Sequence, residues 1–96
     1  MTRAVVVRYR TRSDAADDNQ RLIETVFQEL AAVRPGGIRY SAFRVDETTF
    51  VHVAVFDSDR NPLETLPAFQ TFTSGIADRC EEPPVPTAGR LVGSYP

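Results

Sequence analysis

The chain carries one histidine, His52, and around it the residue types that proton chemistry requires. A neutral imidazole can take a proton from a phenolic or enolic group at physiological pH, a step that activates such a substrate toward oxygen without a cofactor. Tyr40 and Tyr9, with Tyr95 near the chain's end, offer hydroxyls that can hold a quinone or phenol oxygen. His52 and Tyr40 are the candidate catalytic pair, with Tyr9 as an orienting hydroxyl. Ser41 is expected opposite His52. Arg8 and Arg39, with Arg10 and Arg44, carry forked guanidinium groups that could clamp an anionic substrate. Phe43, Phe50 and Phe56 could stack on a flat aromatic ligand.

Each of these residues also has a plainer reading. His52 can be a packed interface histidine bonded to Ser41. The arginines can be solvated strand-end charges or ion pairs. The tyrosines can be core residues with one wet end, and the phenylalanines subunit packing.

The composition removes several chemistries. All eleven basic residues are Arg, so there is no Schiff-base lysine, no P-loop lysine and no lysine base. Cys80 is the single cysteine. It is placed at a helix C-terminus beside Glu81 and Glu82, where a thiol is a poor nucleophile. One His and no CxxC argue against a dedicated metal site, and no cofactor is expected. A net charge of −2, with the signs interspersed, argues against a nucleic-acid surface. The segment MTRAVVVRYRTR lacks the pattern of a signal peptide, and no apolar run approaches the roughly 18 residues of a membrane span. The expectation is a cytoplasmic protein with no membrane partner.

The elements that must position these residues follow from periodicity. Residues 4–9 (AVVVRY) read as a first, central strand. Leu22, Ile23, Val26, Phe27 and Leu30 recur at helical spacing, with Ser13 or Asp14 as the expected cap and Asp17 and Asp18 in the first turn. Pro35-Gly36-Gly37 ends that helix near Arg34. Residues 37–57 read as a hairpin turning at Val45-Asp46-Glu47-Thr48. With a two-residue turn Phe43 meets Phe50 and Ser41 meets His52. One face is then Ile38, Tyr40, Ala42, Val51, Val53 and Val55. The other is Arg39, Ser41, Phe43, Phe50, His52, Ala54 and Phe56, an aromatic face that needs a covering partner. Asn61 caps a second helix with Pro62 at its first position; the helix breaks near Pro67 and its better part runs to Arg79. Residues 81–86 read as an extended connection and residues 87–95 as a last strand.

The order β-α-β-β-α-β over residues 1–96 predicts one α+β, ferredoxin-like domain. Right-handed crossovers give an antiparallel sheet of order 4-1-3-2 with both helices on one face. Residues VVVRYRTR on strand one, Pro35-Gly36-Gly37-Ile38-Arg39-Tyr40 before and into strand two, and residues 50–58 (FVHVAVFDS) on strand three resemble the dimeric α+β barrel proteins, within them the antibiotic biosynthesis monooxygenase-like group. That resemblance implies a homodimer with sheets packed face to face, joined through the sheet face and the C-terminal strand, and a cleft between sheet and helices. It implies a cofactor-independent oxygenase acting on an aromatic or polyketide-type substrate. The reading from a different class is a non-catalytic homodimeric module that binds a small ligand or only packs.

Overall fold

The computed structural model describes residues 2–95. Strand β1 (Arg3–Thr11) is followed by helix α1 (Ala16–Val33), strands β2 (Ile38–Arg44) and β3 (Thr49–Phe56), and a 3-10 turn (Pro62–Thr65). Helices α2 (Pro67–Ser74) and α3 (Ile76–Arg79) then lead into strand β4 (Cys80–Gly89). The sheet order is β2-β3-β1-β4, antiparallel throughout, which is the ferredoxin-like arrangement expected.

The apolar stripe of α1 dictates where the core forms. Ile23 and Val26 are buried against Tyr9 and Phe50 of the sheet and Phe72 of α2, with Leu22, Phe27, Leu30 and Tyr40 packed around them. Full burial of a side chain such as Phe50 contributes roughly 1.5–3 kcal/mol, and Phe50 is 1% exposed. Helix α1 begins without the side-chain cap expected from Ser13 or Asp14, although Asp17 and Asp18 do occupy its first turn. It stops at Arg34, which adopts the left-handed conformation (φ 54°) and sends its N–H to the Leu30 carbonyl. Gly37, at φ 80°, then redirects the chain into β2.

The second helical segment breaks at Pro67, as expected, and again at Gly75. Asn61 caps its 3-10 turn, its side-chain oxygen accepting from the Leu63 N–H at 3.0 Å. Helix α2 is tied to α1 by an unusual bond: Glu29 Oε1 accepts from the Ala68 backbone N–H at 3.0 Å. With Pro67 lacking an N–H, this is one of the free donors at the start of α2.

Two further sequence expectations are overturned. The hairpin register is shifted by one residue: Arg44 pairs with Phe50, Ala42 with His52 and Tyr40 with Ala54, while Ser41 pairs with Val53. The cause is the loop. Asp46 Oδ1 accepts from the backbone N–H groups of Thr48 (2.9 Å) and Thr49 (2.7 Å), and Val45 N–H bonds to the Thr49 carbonyl. Three residues, Asp46 to Thr48, therefore turn the chain where two were expected. A one-residue shift exchanges the faces of β2 relative to β3. Tyr40 and Ala42 thus join Phe50, His52, Ala54 and Phe56 beneath the helices. Arg39, Ser41 and Phe43 join Val51, Val53 and Val55 on the opposite face. Only Phe43 of the three phenylalanines stands on that uncovered side, 53% exposed.

The second correction concerns the C-terminus. Strand β4 comprises the segment 80–89, including all of the expected connection, and pairs with β1 from Thr11↔Cys80 to Ala4↔Gly89. Its prolines, Pro83, Pro84 and Pro86, are accepted because β4 is an edge strand with one side free of ladder bonds. Residues 90–95 carry no regular structure, and Tyr95 is almost fully exposed.

Candidate active site

The corrected register places His52 under the helices with a tyrosine on each side. Tyr9 comes from central β1, Tyr40 from edge strand β2, and His52 from β3 between them. His52 Nε2 lies 2.8 Å from Tyr9 Oη, and His52 Nδ1 lies 2.5 Å from Tyr40 Oη. His52 is 5% exposed and Tyr9 2%. Phe72 stacks on the imidazole at 5.5 Å, Phe50 on Tyr9 at 5.5 Å, and Phe27 on Tyr40 at 5.0 Å.

The chain of bonds continues beyond Tyr9. Asn19, fully buried in the first turn of α1, donates from Nδ2 to Tyr9 Oη at 2.9 Å. Arg79 donates from Nε to Asn19 Oδ1 at 3.0 Å and from Nη2 to the Phe72 carbonyl at 2.7 Å. The result is a continuous line of five side chains: Arg79, Asn19, Tyr9, His52, Tyr40.

This environment sets the protonation states. Burial pushes the His52 pKa down to about 4, so the ring is neutral at pH 7. Burial raises both tyrosines well above the ordinary phenol value; the Asn19 bond partly opposes that rise at Tyr9. The Cys80 thiol is also pushed up by burial, against the opposing effect of Arg79.

Tyr9, His52 and Tyr40 line a cavity of about 290 Å³ between sheet and helices. Its remaining wall is mostly apolar: Val5, Val7, Ala54, Phe56, Leu63, Phe69, Phe72 and Ile76. Arg3 also lines it, held over the Phe56 ring at 4.6 Å, and its buried Nε has no hydrogen-bond partner among the described residues. A larger open trough of about 820 Å³ runs between α1 and β2 along Ile23, Phe27, Ala42 and Phe43, but it holds none of the Tyr9–His52–Tyr40 group.

Of the residues singled out from sequence, His52, Tyr40, Tyr9 and Phe56 therefore meet at the cavity. Phe50 sits behind Tyr9. Ser41, Phe43, Arg8 and Arg39 lie on the opposite face of the sheet, so Ser41 makes no bond to His52. Asn19, Arg79 and Arg3 escaped sequence reasoning. Asn19 had a visible signal, since it falls four residues before Ile23 and seven before Val26, on the apolar stripe itself. Among the described residues no group of three or more His, Cys, Asp and Glu side chains is placed to hold a metal ion. No helix is long and apolar enough to cross a membrane.

Comparison with solved structures settles the fold. A protein from Mycobacterium tuberculosis, Rv0793, superposes with a TM-score of 0.78 at 18% identity, covering 100% of both chains. The chain has the ferredoxin-like fold of the antibiotic biosynthesis monooxygenase-like proteins. A candidate antibiotic biosynthesis monooxygenase from Nitrosomonas europaea superposes with a TM-score of 0.79 at 14% identity, covering 95% of this chain and 90% of that one. SnoaB of Streptomyces nogalater, a cofactor-independent oxygenase, superposes with a TM-score of 0.70 at 16% identity, covering 99% and 97%. No family model and no curated protein matches the sequence.

Proposed function

We propose that this protein is a homodimeric, cofactor-independent oxygenase acting on a small aromatic ketone. The observation that carries the reading is the Tyr9–His52–Tyr40 line opening on an apolar cavity. At about 290 Å³ the cavity lies at the lower end of the ~300–1,000 Å³ range of ligand pockets. It suits a molecule of one or two rings more than an extended polycycle.

His52 serves this chemistry through its neighbours. Both ring nitrogens are already bonded to tyrosine hydroxyls, and the ring is weakly basic, so it holds Tyr40 in place as an uncharged hydrogen-bonding group. A neutral histidine can act in a site as a hydrogen-bonding group rather than as a base. When a substrate methylene beside a carbonyl loses its proton to water, the electron pair moves to the carbonyl oxygen, and a hydroxyl of this cluster stabilises that oxyanion in a site with little water. The resulting carbanion reduces molecular oxygen. The net change converts CH2 and O2 into C=O and H2O, so the substrate supplies all the electrons.

The test is oxygen uptake by the purified protein with small aromatic ketones that carry an acidic benzylic methylene, 2-tetralone among them. Uptake above the protein-free rate, lost in Tyr40→Phe, is expected. Binding without uptake across the set would sink the oxygenase reading and leave a second one. That second reading is a non-catalytic small-ligand module, favoured by the low basicity and full engagement of His52.

The dimer is argued from the sheet. Its helix-free face presents Val51, Val53 and Val55 at its centre with exposed Phe43 and Val85 and the part-exposed Val6 around them. A contiguous apolar face of this kind on a short chain calls for a second copy to cover it.

A further inference from the structure

The five-residue line has a direction, and the direction can be assigned from its buried end. An arginine side chain only donates, so Arg79 Nε must meet the carbonyl oxygen of Asn19. That fixes the Asn19 amide, and its Nδ2 must donate to Tyr9. Tyr9 Oη accepts there. Were it also to accept from His52 Nε2–H, its own hydrogen would be buried with no acceptor among the described residues, a costly arrangement. Tyr9 therefore donates to His52 Nε2, His52 carries its proton on Nδ1, and Nδ1–H donates to Tyr40 Oη. The Tyr40 hydroxyl hydrogen is left without a protein acceptor among the described residues, on a half-buried ring that lines the cavity.

We infer that Arg79 and Asn19 are positioning residues that select the Nδ1–H tautomer of His52, so that Tyr40 presents a hydrogen-bond donor to the cavity and the site takes ligands whose oxygen arrives unprotonated, as a carbonyl or an enolate. The ligand half of this inference rests on reading the cavity as a small-aromatic site. The tautomer half stands on the hydrogen bonds alone.

The chain holds one imidazole, so nitrogen-15 NMR reads its tautomer without assignment work. Wild type is expected to show a protonated Nδ1 and an unprotonated Nε2 at pH 7. In Asn19→Asp a carboxylate that can only accept takes the place of the donor amide. Tyr9 must then turn its hydrogen toward residue 19, His52 must donate from Nε2, and Tyr40 must donate to Nδ1 and accept from the cavity. The spectrum should switch to the Nε2–H tautomer. The binding ratio of 1-tetralone, an acceptor only, to 1-naphthol, a donor, should fall about tenfold, the equivalent of one hydrogen bond.

A second variant guards against misfolding of the first. A Cβ at Gly75 would stand 2.8 Å from Arg79 Nη1, the mobile end of that side chain. Gly75→Ala should therefore fold normally, displace the guanidinium, free the Asn19 amide and give a mixture of both tautomers. An Nε2–H tautomer in wild type, or one unchanged tautomer across all folded variants, overturns the inference. An unchanged ligand ratio despite a switched tautomer, or no wild-type binding of either probe, overturns its ligand half. None of these readings depends on oxygen chemistry, so loss of the oxygenase reading leaves the tautomer result intact.

Discussion

At the scale of single residues the protein is governed by His52. Its imidazole is uncharged because it is sealed between two tyrosines and a phenylalanine, and that has a consequence for stability. The folded ring titrates near 4 against an ordinary value of 6.5. As pH falls below 6.5 the unfolded chain binds a proton that the folded chain refuses. Stability is therefore fully present above pH 6.5, declines through the window down to 4, and then levels off. The amount at stake is on the order of 3 kcal/mol. Urea unfolding of wild type at pH 7 and pH 4.5 should show most of this loss, and His52→Gln, which cannot titrate, should lack that increment. Equal losses in both proteins would remove His52 from the account. Tyr40→Phe makes a complementary case. It leaves the Nδ1–H of His52 without its partner, so unfolding should become easier by about 1–3 kcal/mol, and the affinity for 1-tetralone should fall about tenfold at the same time. A variant that loses stability but binds 1-tetralone as wild type does would show that Tyr40 supports the core without touching ligand.

At the scale of elements, the hairpin decides the site. The pattern of residues 37–57 announces two strands, and the strand order follows from the β-α-β-β-α-β order of the whole chain with right-handed crossovers. The register does not. Both hairpin strands have apolar residues on each face, so hydrophobic alternation alone allows either pairing. The deciding signal is chemical: Asp46-Glu47 is a poor pair for a tight primed turn, which prefers Gly second, while Asp46 is well suited to accept backbone N–H groups two and three residues on. Weighed that way, the same sequence brings Tyr40 beside His52 and sends Ser41 away. Arg79 was harder to read. Its role depends on α3 returning over the first turn of α1, a contact between residues 60 positions apart, and no local pattern encodes that. Asn19 lies between these cases, a polar residue on an apolar stripe whose partner could not be named. Helix α2, which supplies Phe72 over the imidazole, makes a prediction of its own. Glu29→Ala removes the carboxylate that accepts the Ala68 N–H, and should cost about 1 kcal/mol. The loss should concentrate in faster amide exchange across residues 67–74, with β1 and β3 protected as before. Uniform loss of protection would mean that α2 does not open on its own.

At the scale of the whole molecule, the sheet separates two tasks. Its helix-covered face holds the cavity. Its other face carries Val51, Val53 and Val55 at the centre. The sequence predicts an aromatic face covered by a partner subunit, but Phe50 and Phe56 are covered by the chain's own helices; what remains for a partner is aliphatic apart from Phe43. Pairing of two such faces would exclude water without touching the Tyr9–His52–Tyr40 line. Val53→Arg places a charge at the centre of the open face, where a dimer would have to bury it without a partner and a monomer would leave it in water. Wild type is expected to sediment as a dimer at micromolar concentration and Val53→Arg as a folded monomer. Because the cavity lies on the sheet face opposite Val53, the monomeric variant should bind 1-tetralone with wild-type affinity. A wild-type chain that sediments as a folded monomer would refute the dimer. A monomeric variant that folds yet no longer binds would show instead that the second subunit shapes the cavity through the sheet.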